Sequence, residues 1–215
     1  KIYWNKFPIA KLYTGKDYLN PNFNLVIDDI IDQAPKQKLN EYIYKWIQTK
    51  INEVLKSLID LKNIKENNPS IKALAYQLYE NNGVLKREQV SDYLRDISQN
   101  ERKNLRELGI KFGRYHVFLH QLIKPEAVSL RTLLWKNFHQ KFYNLKPPTF
   151  GLNFLDNKDL KNQNFMLLCG FEKFDAFFVR IDILERLFML IINSNSKEKS
   201  DIKVVPEMLN LLGCS

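Results

Sequence analysis

The stretch that most constrains this chain runs from Leu105 to Trp135 and reads LRELGIKFGRYHVFLHQLIKPEAVSLRTLLW. Gly109 closes a helical pattern, because the residue beyond a helix end often takes a left-handed conformation that glycine adopts without strain. Gly113 follows after the short piece IKF, and both glycines are expected at positive φ. Tyr115 to Leu119 is a β-type run of aromatic and aliphatic residues. Lys124-Pro125 is then a hinge, and Pro125 suits the first turn of an apolar helix through Val128, Leu134, Phe138 and Phe142. Nothing in the stretch has the pattern of an active site.

The remaining elements follow from periodicity and punctuation. The first thirty residues read as extended, with FPIAKLY and FNLVI separated by Thr14-Gly15 and Asn20-Pro21. A long helix follows Pro35, with Leu39, Ile43, Ile47, Ile51, Val54 and Leu58 at steps of three and four. Asn68 caps the next helix with Pro69 in its first turn, and Gly83 stops it. A short helix is expected over Lys86 to Arg95, and Ser98 to Glu101 is a capping box. Pro147-Pro148 marks a domain boundary. Beyond it, a helix over Asp159 to Leu168 ends at Gly170, short strands cover Phe171–Phe174 and Phe177–Val179, and a helix spans Ile181 to Ile192. Asn193 to Asp201 reads as a polar loop, and a last helix opens at Pro206 and ends at Gly213. No internal repeat is visible. These elements predict a mainly α fold with a few short β-strands (α+β), a helical accessory module in two packed subdomains. Residues 1–147 form a helical subdomain with short N-terminal strands, and residues 148–215 a smaller α+β subdomain.

The formal charge of +9 on 215 residues favours a polyanionic partner, nucleic acid ahead of an anionic membrane surface. Codon bias in an AT-rich genome would account for the lysines equally well. Cys169 and Cys214 lie too far apart for a disulfide scaffold and fit a reducing, cytoplasmic compartment. No apolar run reaches the roughly 18 residues of a spanning helix. The seven glycines are scattered and none precedes Lys-Ser or Lys-Thr. The closely spaced backbone N–H groups that cradle a nucleotide are therefore missing, and no ATP site or catalytic residue is expected in the chain itself. His116 and His120 would share a helix face, but on a strand they stand roughly 13 Å apart, so no metal is expected. Asp28, Asp29 and Asp32 have the composition of a two-metal site, yet they fit the solvated start of the long helix. Cys169 reads as a small buried filler.

The central block has a basic and aromatic texture. Arg102, Lys103, Arg106, Lys111, Arg114, Lys124 and Arg131 alternate with Phe112, Tyr115, His116 and Phe118. Phe112, Phe118 and Trp135 are read as core. Lys111, Arg114, Lys124 and Arg131 are expected to form one basic surface for RNA phosphates, with the glycine-bounded turn poised as a phosphate nest.

Five phrases follow one another along the chain. They are Leu108-Gly109-Ile110-Lys111-Phe112-Gly113, Leu122-Ile123-Lys124-Pro125, Leu133-Leu134-Trp135, Arg180 through Leu187, and Pro206-Glu207-Met208 with Leu211 through Ser215. In these the chain resembles the C-terminal region of alphaproteobacterial helicase-related proteins, DExH-class enzymes akin to the mitochondrial RNA-degradosome helicase. The likeness spans nearly the whole chain and is weakest over the first 65 residues. Val205 departs from it, since Thr or Ser would cap the last helix. The resemblance implies a parent with two RecA-like motor domains ahead of this region, where ATP and Mg would bind and hydrolysis would occur. A start at Lys1 and an end inside a turn agree with a piece of such a parent. The present region would then be an accessory module that grips single-stranded RNA. The rival readings are a protein-docking module that recruits a nuclease or ribosome, and a structural extension that braces the motor.

Overall fold

The computed structural model of the chain describes residues 1–26, 32–141, 143–156, 162–195 and 206–213. Asp28, Asp29, Phe142, Val205, Cys214 and most of the expected polar loop lie outside the described residues. Among the described residues helices outweigh strands, and the strands form three small antiparallel sheets, a mainly α fold with some β. No helix among them is long and apolar enough to cross a membrane.

The chain divides into two compact units, one of Lys1–Lys56 with Ser129–Lys146 and one of Ser57–Val128 with Pro147–Ser215. In the first unit, β1 (Ile2–Trp4), β2 (Phe7–Tyr13) and β3 (Asn22–Leu25) form an antiparallel meander. Asn5 and Lys6 link β1 to β2 at φ of 44° and 73°, the paired positive values of a two-residue hairpin turn. Ala10 is buried and pairs with Ile2 and Leu25, while Lys11 points to the opposite, exposed side. Helix α1 (Gln33–Val54) buries Ile43, Ile47 and Ile51, the stripe its periodicity predicts. Pro35 lies within its first turn rather than before it. The expected single helix through Leu58 is two helices: Leu55 leaves helical geometry at φ −108° and ψ 24°, and Leu58 belongs to α2 (Lys56–Lys62). No glycine or proline marks the break, so spacing alone runs through it.

The second unit takes in α2 from Ser57 onward and continues with α3 (Pro69–Glu80), capped as expected by Asn68, whose side-chain oxygen accepts from the Ser70 N–H at 2.9 Å. Strand β4 (Val84–Lys86), a 3₁₀ turn (Arg87–Val90) and α4 (Ser91–Asp96) occupy the stretch expected to be one short helix. Helix α5 (Gln99–Glu107) opens with the reciprocal Ser98–Glu101 capping box. Strands β5 (Ile110–Phe112) and β6 (His116–Leu119) complete a sheet of order β4-β6-β5. In outline this is a helix-turn-helix, α4 to α5, with a β-hairpin appended. Strand alternation gives the sheet two apolar faces. Leu85, Ile110, Val117 and Leu119 are buried on one, and Val84 and Phe118 on the other.

After α6 (Pro125–His139), the second unit resumes with β7 (Phe154–Asp156), α7 (Gln163–Leu168), β8 (Phe171–Phe174), β9 (Phe177–Arg180), α8 (Ile181–Asn195) and α9 (Pro206–Leu212). The third sheet has order β7-β9-β8. It repeats the plan of the second: the last strand lies centrally, and a helix ending in a positive-φ glycine, Gly109 or Gly170, leads into the hairpin. This recurrence is invisible in the sequence, because IKF and FEKF share little beyond apolar character.

The partition differs from the expected 1–147 and 148–215 subdomains. Val84 and Phe118 share one apolar cluster with Ile181, and Ile123 and Leu167 pack against it. Burial thus joins segments on both sides of Pro147 into one unit, which a linear reading of proline punctuation cannot show.

Candidate nucleic-acid interface

The turn from β5 to β6 is Gly113-Arg114-Tyr115, closed by a Gly113 N–H to His116 carbonyl bond of 2.8 Å. Glu185 of α8 inserts its carboxylate into this turn. It accepts from the N–H groups of Arg114, of Tyr115 at 3.0 Å and of His116 at 2.7 Å. His116 Nδ1 lies 2.8 Å from the same carboxylate and acts as a fourth donor. Three consecutive N–H groups converging on an anion make a nest. The expected phosphate nest is therefore present in geometry but filled by the protein's own carboxylate. Burial raises the Glu185 pKa, but the bonds from His116, Tyr115 and Arg114 outweigh it and hold the carboxyl below its ordinary range.

The two glycines serve different ends. Gly109 has φ +92°, as expected, and an added Cβ would make only ordinary van der Waals contact, its nearest neighbour being Ser57 Cβ at 3.9 Å. Gly113 does not have positive φ, which corrects the expectation. A Cβ there would sit 2.9 Å from Glu185 Cγ and closer still to its carboxylate. Gly113 is required by close approach of a side chain, not by backbone conformation. Pro125 opens α6 as expected, and the Val128 N–H donates to the Lys124 carbonyl at 2.9 Å.

His116 also faces Glu172 of β8, with Nε2 at 3.9 Å, and Glu172 pairs with Lys86 at 3.2 Å. Arg87 supports the turn from its other side. Its N–H donates to the Tyr115 carbonyl at 2.7 Å and its guanidinium to the Gly113 carbonyl at 2.8 Å. His116 thus joins the two hairpins of this unit. Among the described residues, no three His, Cys, Asp or Glu side chains are grouped to hold a metal ion.

The four expected RNA-contacting cations part company. Lys111 projects from edge strand β5, Arg114 from the turn, and Lys124 from the residue before α6, all exposed. Arg131 is fully buried, which corrects its placement on the basic surface. Its position was legible: Val128, Arg131 and Trp135 follow the three-four spacing of one helix face, and all three are buried. Lys124 lies beyond the end of β6 opposite to Arg114, separated by roughly 13 Å of strand and the 3₁₀ turn His120–Ile123. The four do not make one patch.

Other cations surround Arg114 instead. Arg114, Arg180 and Arg186 line an open cleft of about 1130 Å³ together with Asn153 and Asn210. Arg180 is held by Asp182 through bonds of 2.7 and 3.2 Å. On α5, Lys103 is exposed, Arg106 stands 5.6 Å from the Phe112 ring centre, and Arg102 is engaged with the Leu94 carbonyl. Arg180 and Arg186 lie some seventy residues from Arg114 in sequence, so no local spacing signal pointed to them. Phe118 and Trp135 are core as expected, Phe112 is half-buried and Cys169 is buried. Compared with known proteins, the chain matches no family model, no curated protein and no solved structure.

Proposed function

We propose that this chain is an RNA-binding accessory region of an ATP-dependent DExH-type RNA helicase, and that it grips single-stranded RNA without hydrolysing ATP itself. The observation that carries the reading is the anchored β5–β6 turn. Its backbone is held by Glu185 and Arg87, while Arg114 presents an exposed charge from it and Lys111 another from the strand leading into it. Cations fixed on a rigid base lose less freedom on binding phosphate than cations on a mobile loop. The helix-turn-helix with its hairpin supports the reading by analogy, since such units bring a helix and flanking cations to nucleic acid. The helicase parentage, with ATP and Mg bound in motor domains, rests on the five sequence phrases.

The test is a salt titration of binding to a fluorescent single-stranded RNA. Each phosphate contact adds roughly 0.7 to the slope of log K against log salt. Replacing Lys111 and Arg114 by Glu is expected to weaken binding to unrelated RNA sequences about equally and to flatten the slope. Unchanged affinity and slope in K111E/R114E would remove the reading in favour of a protein-docking or bracing role.

A further inference from the structure

The second unit carries a cleft of about 750 Å³ that the cation argument does not use. It lies beside the two hairpin turns, Gly113–Tyr115 and the turn between Phe174 and Phe177, and α8 contributes to its wall. Three rings from three elements meet there. Tyr115 lies against Phe188 with ring centres 4.0 Å apart, and Phe174 meets Phe188 edge-on at 6.0 Å. Tyr115 is 47 % exposed and Phe174 50 %, so the cluster is a wall of the cleft and not a closed core. The ionisable groups around it are Lys86, Arg87, Arg114, Lys173 and His116 against Glu88 and Glu172. Glu172 is engaged by Lys86 and faced by His116, and Arg87 by the Gly113 carbonyl. Arg114 and Lys173 are exposed, one at each hairpin.

From this we infer that the cleft receives an unpaired nucleobase of single-stranded RNA, stacked on Tyr115 and Phe174, with the flanking phosphates on Arg114 and Lys173. The inference rests on the RNA reading above and adds where and how a base is held. Flat rings stack on any base, whereas a ribbon of paired RNA keeps its bases inside the helix. The excess of cations over carboxylates fits a strand carrying one negative charge per nucleotide. The cleft has room for a base and its sugar, and each hairpin brings a cation next in sequence to its ring, Arg114 to Tyr115 and Lys173 to Phe174, all four lining the cleft. The arrangement favours single strands, because exposed flat rings offer a face on which any unpaired base can stack.

The experiment uses the whole chain and a fluorescent twelve-nucleotide oligo(A), with anisotropy read across a salt series. Removing both rings in Y115A/F174A is expected to lower affinity by about tenfold or more while leaving the salt slope unchanged, since stacking neutralises no phosphate. Y115F/F174Y keeps flat rings and is expected to bind as the parent does. R114E/K173E is expected to lower affinity with a flatter slope. Circular dichroism and thermal unfolding of each variant separate lost binding from lost fold; F174A alone, a substitution at an exposed ring, repeats the test if Y115A unfolds the turn. Parent-like binding by a folded ring variant overturns the base site and leaves the RNA reading standing. Absence of binding by the parent chain at low salt overturns both. Displacement of oligo(A) by equimolar AMP would assign the cleft to a free nucleotide and overturn the strand proposal.

Discussion

The contrast between Gly109 and Gly113 can be tested as a pair of mutant cycles. Gly113→Ala places a methyl group 2.9 Å from Glu185 Cγ and nearer its carboxylate, so the carboxylate must leave the nest. Forcing a side chain from a packed site costs about 1–3 kcal/mol. Glu185→Ala removes the acceptor itself. The Arg114 and Tyr115 amides lie in an exposed turn, where water can replace the carboxylate. The His116 N–H and Nδ1 are buried and lose their acceptor. At about 1–3 kcal/mol for each of the two stranded buried donors, the cost is about 2–6 kcal/mol. Once Glu185 is truncated, the three heavy atoms nearest the methyl group added at Gly113 are gone. G113A/E185A should therefore be no less stable than E185A within about 0.5 kcal/mol, a coupling as large as the single G113A cost. Gly109→Ala should behave oppositely. Its cost of about 1–2 kcal/mol comes from the left-handed backbone and should be the same in both backgrounds. Urea unfolding followed by far-UV circular dichroism, with unchanged m-values, supplies the four free energies for each cycle. Equal G113A costs with and without Glu185 would refute the close-approach argument.

Other outcomes follow from the same geometry. Because the Glu185 carboxyl is held below its ordinary value of 4.5, its contribution to stability is complete above that pH and is lost as pH falls toward the lower folded value. An acid titration of stability should therefore lose part of its fall in E185Q, and identical acid profiles would contradict the assignment. Arg131→Ala should destabilise the fold by about 2–4 kcal/mol, as loss of a fully buried long side chain does. It should leave the RNA salt slope unchanged, and a flattened slope in a folded R131A chain would return Arg131 to the interface. The purified chain should show no RNA-stimulated ATP turnover, and measurable hydrolysis would contradict the lack of a phosphate-cradling loop.

Local chemistry determined a large part of this molecule. The Asn68 cap, the Ser98–Glu101 capping box, the Gly109 stop, the buried stripe of α1 and the strands at 116–119, 171–174 and 177–180 are set by residues within a few positions of one another. Such features survive in sequence because their partners are neighbours. Arg131 was equally legible, since its three-four spacing with Val128 and Trp135 placed it on the buried face and only its charge argued otherwise. What tertiary structure alone decided depends on partners far along the chain. Gly113 is needed because Glu185 arrives from seventy residues away. The turn that reads as an empty anion nest is filled for the same reason. The two hairpins meet because Val84 and Phe118 find Ile181 across the Pro147 boundary, and the rings of Tyr115, Phe174 and Phe188 come together only as a result. Hydrophobic burial is blind to sequence distance, so the cleft and the occupant of the nest were fixed by packing, while the elements that carry them were fixed by local spacing and caps.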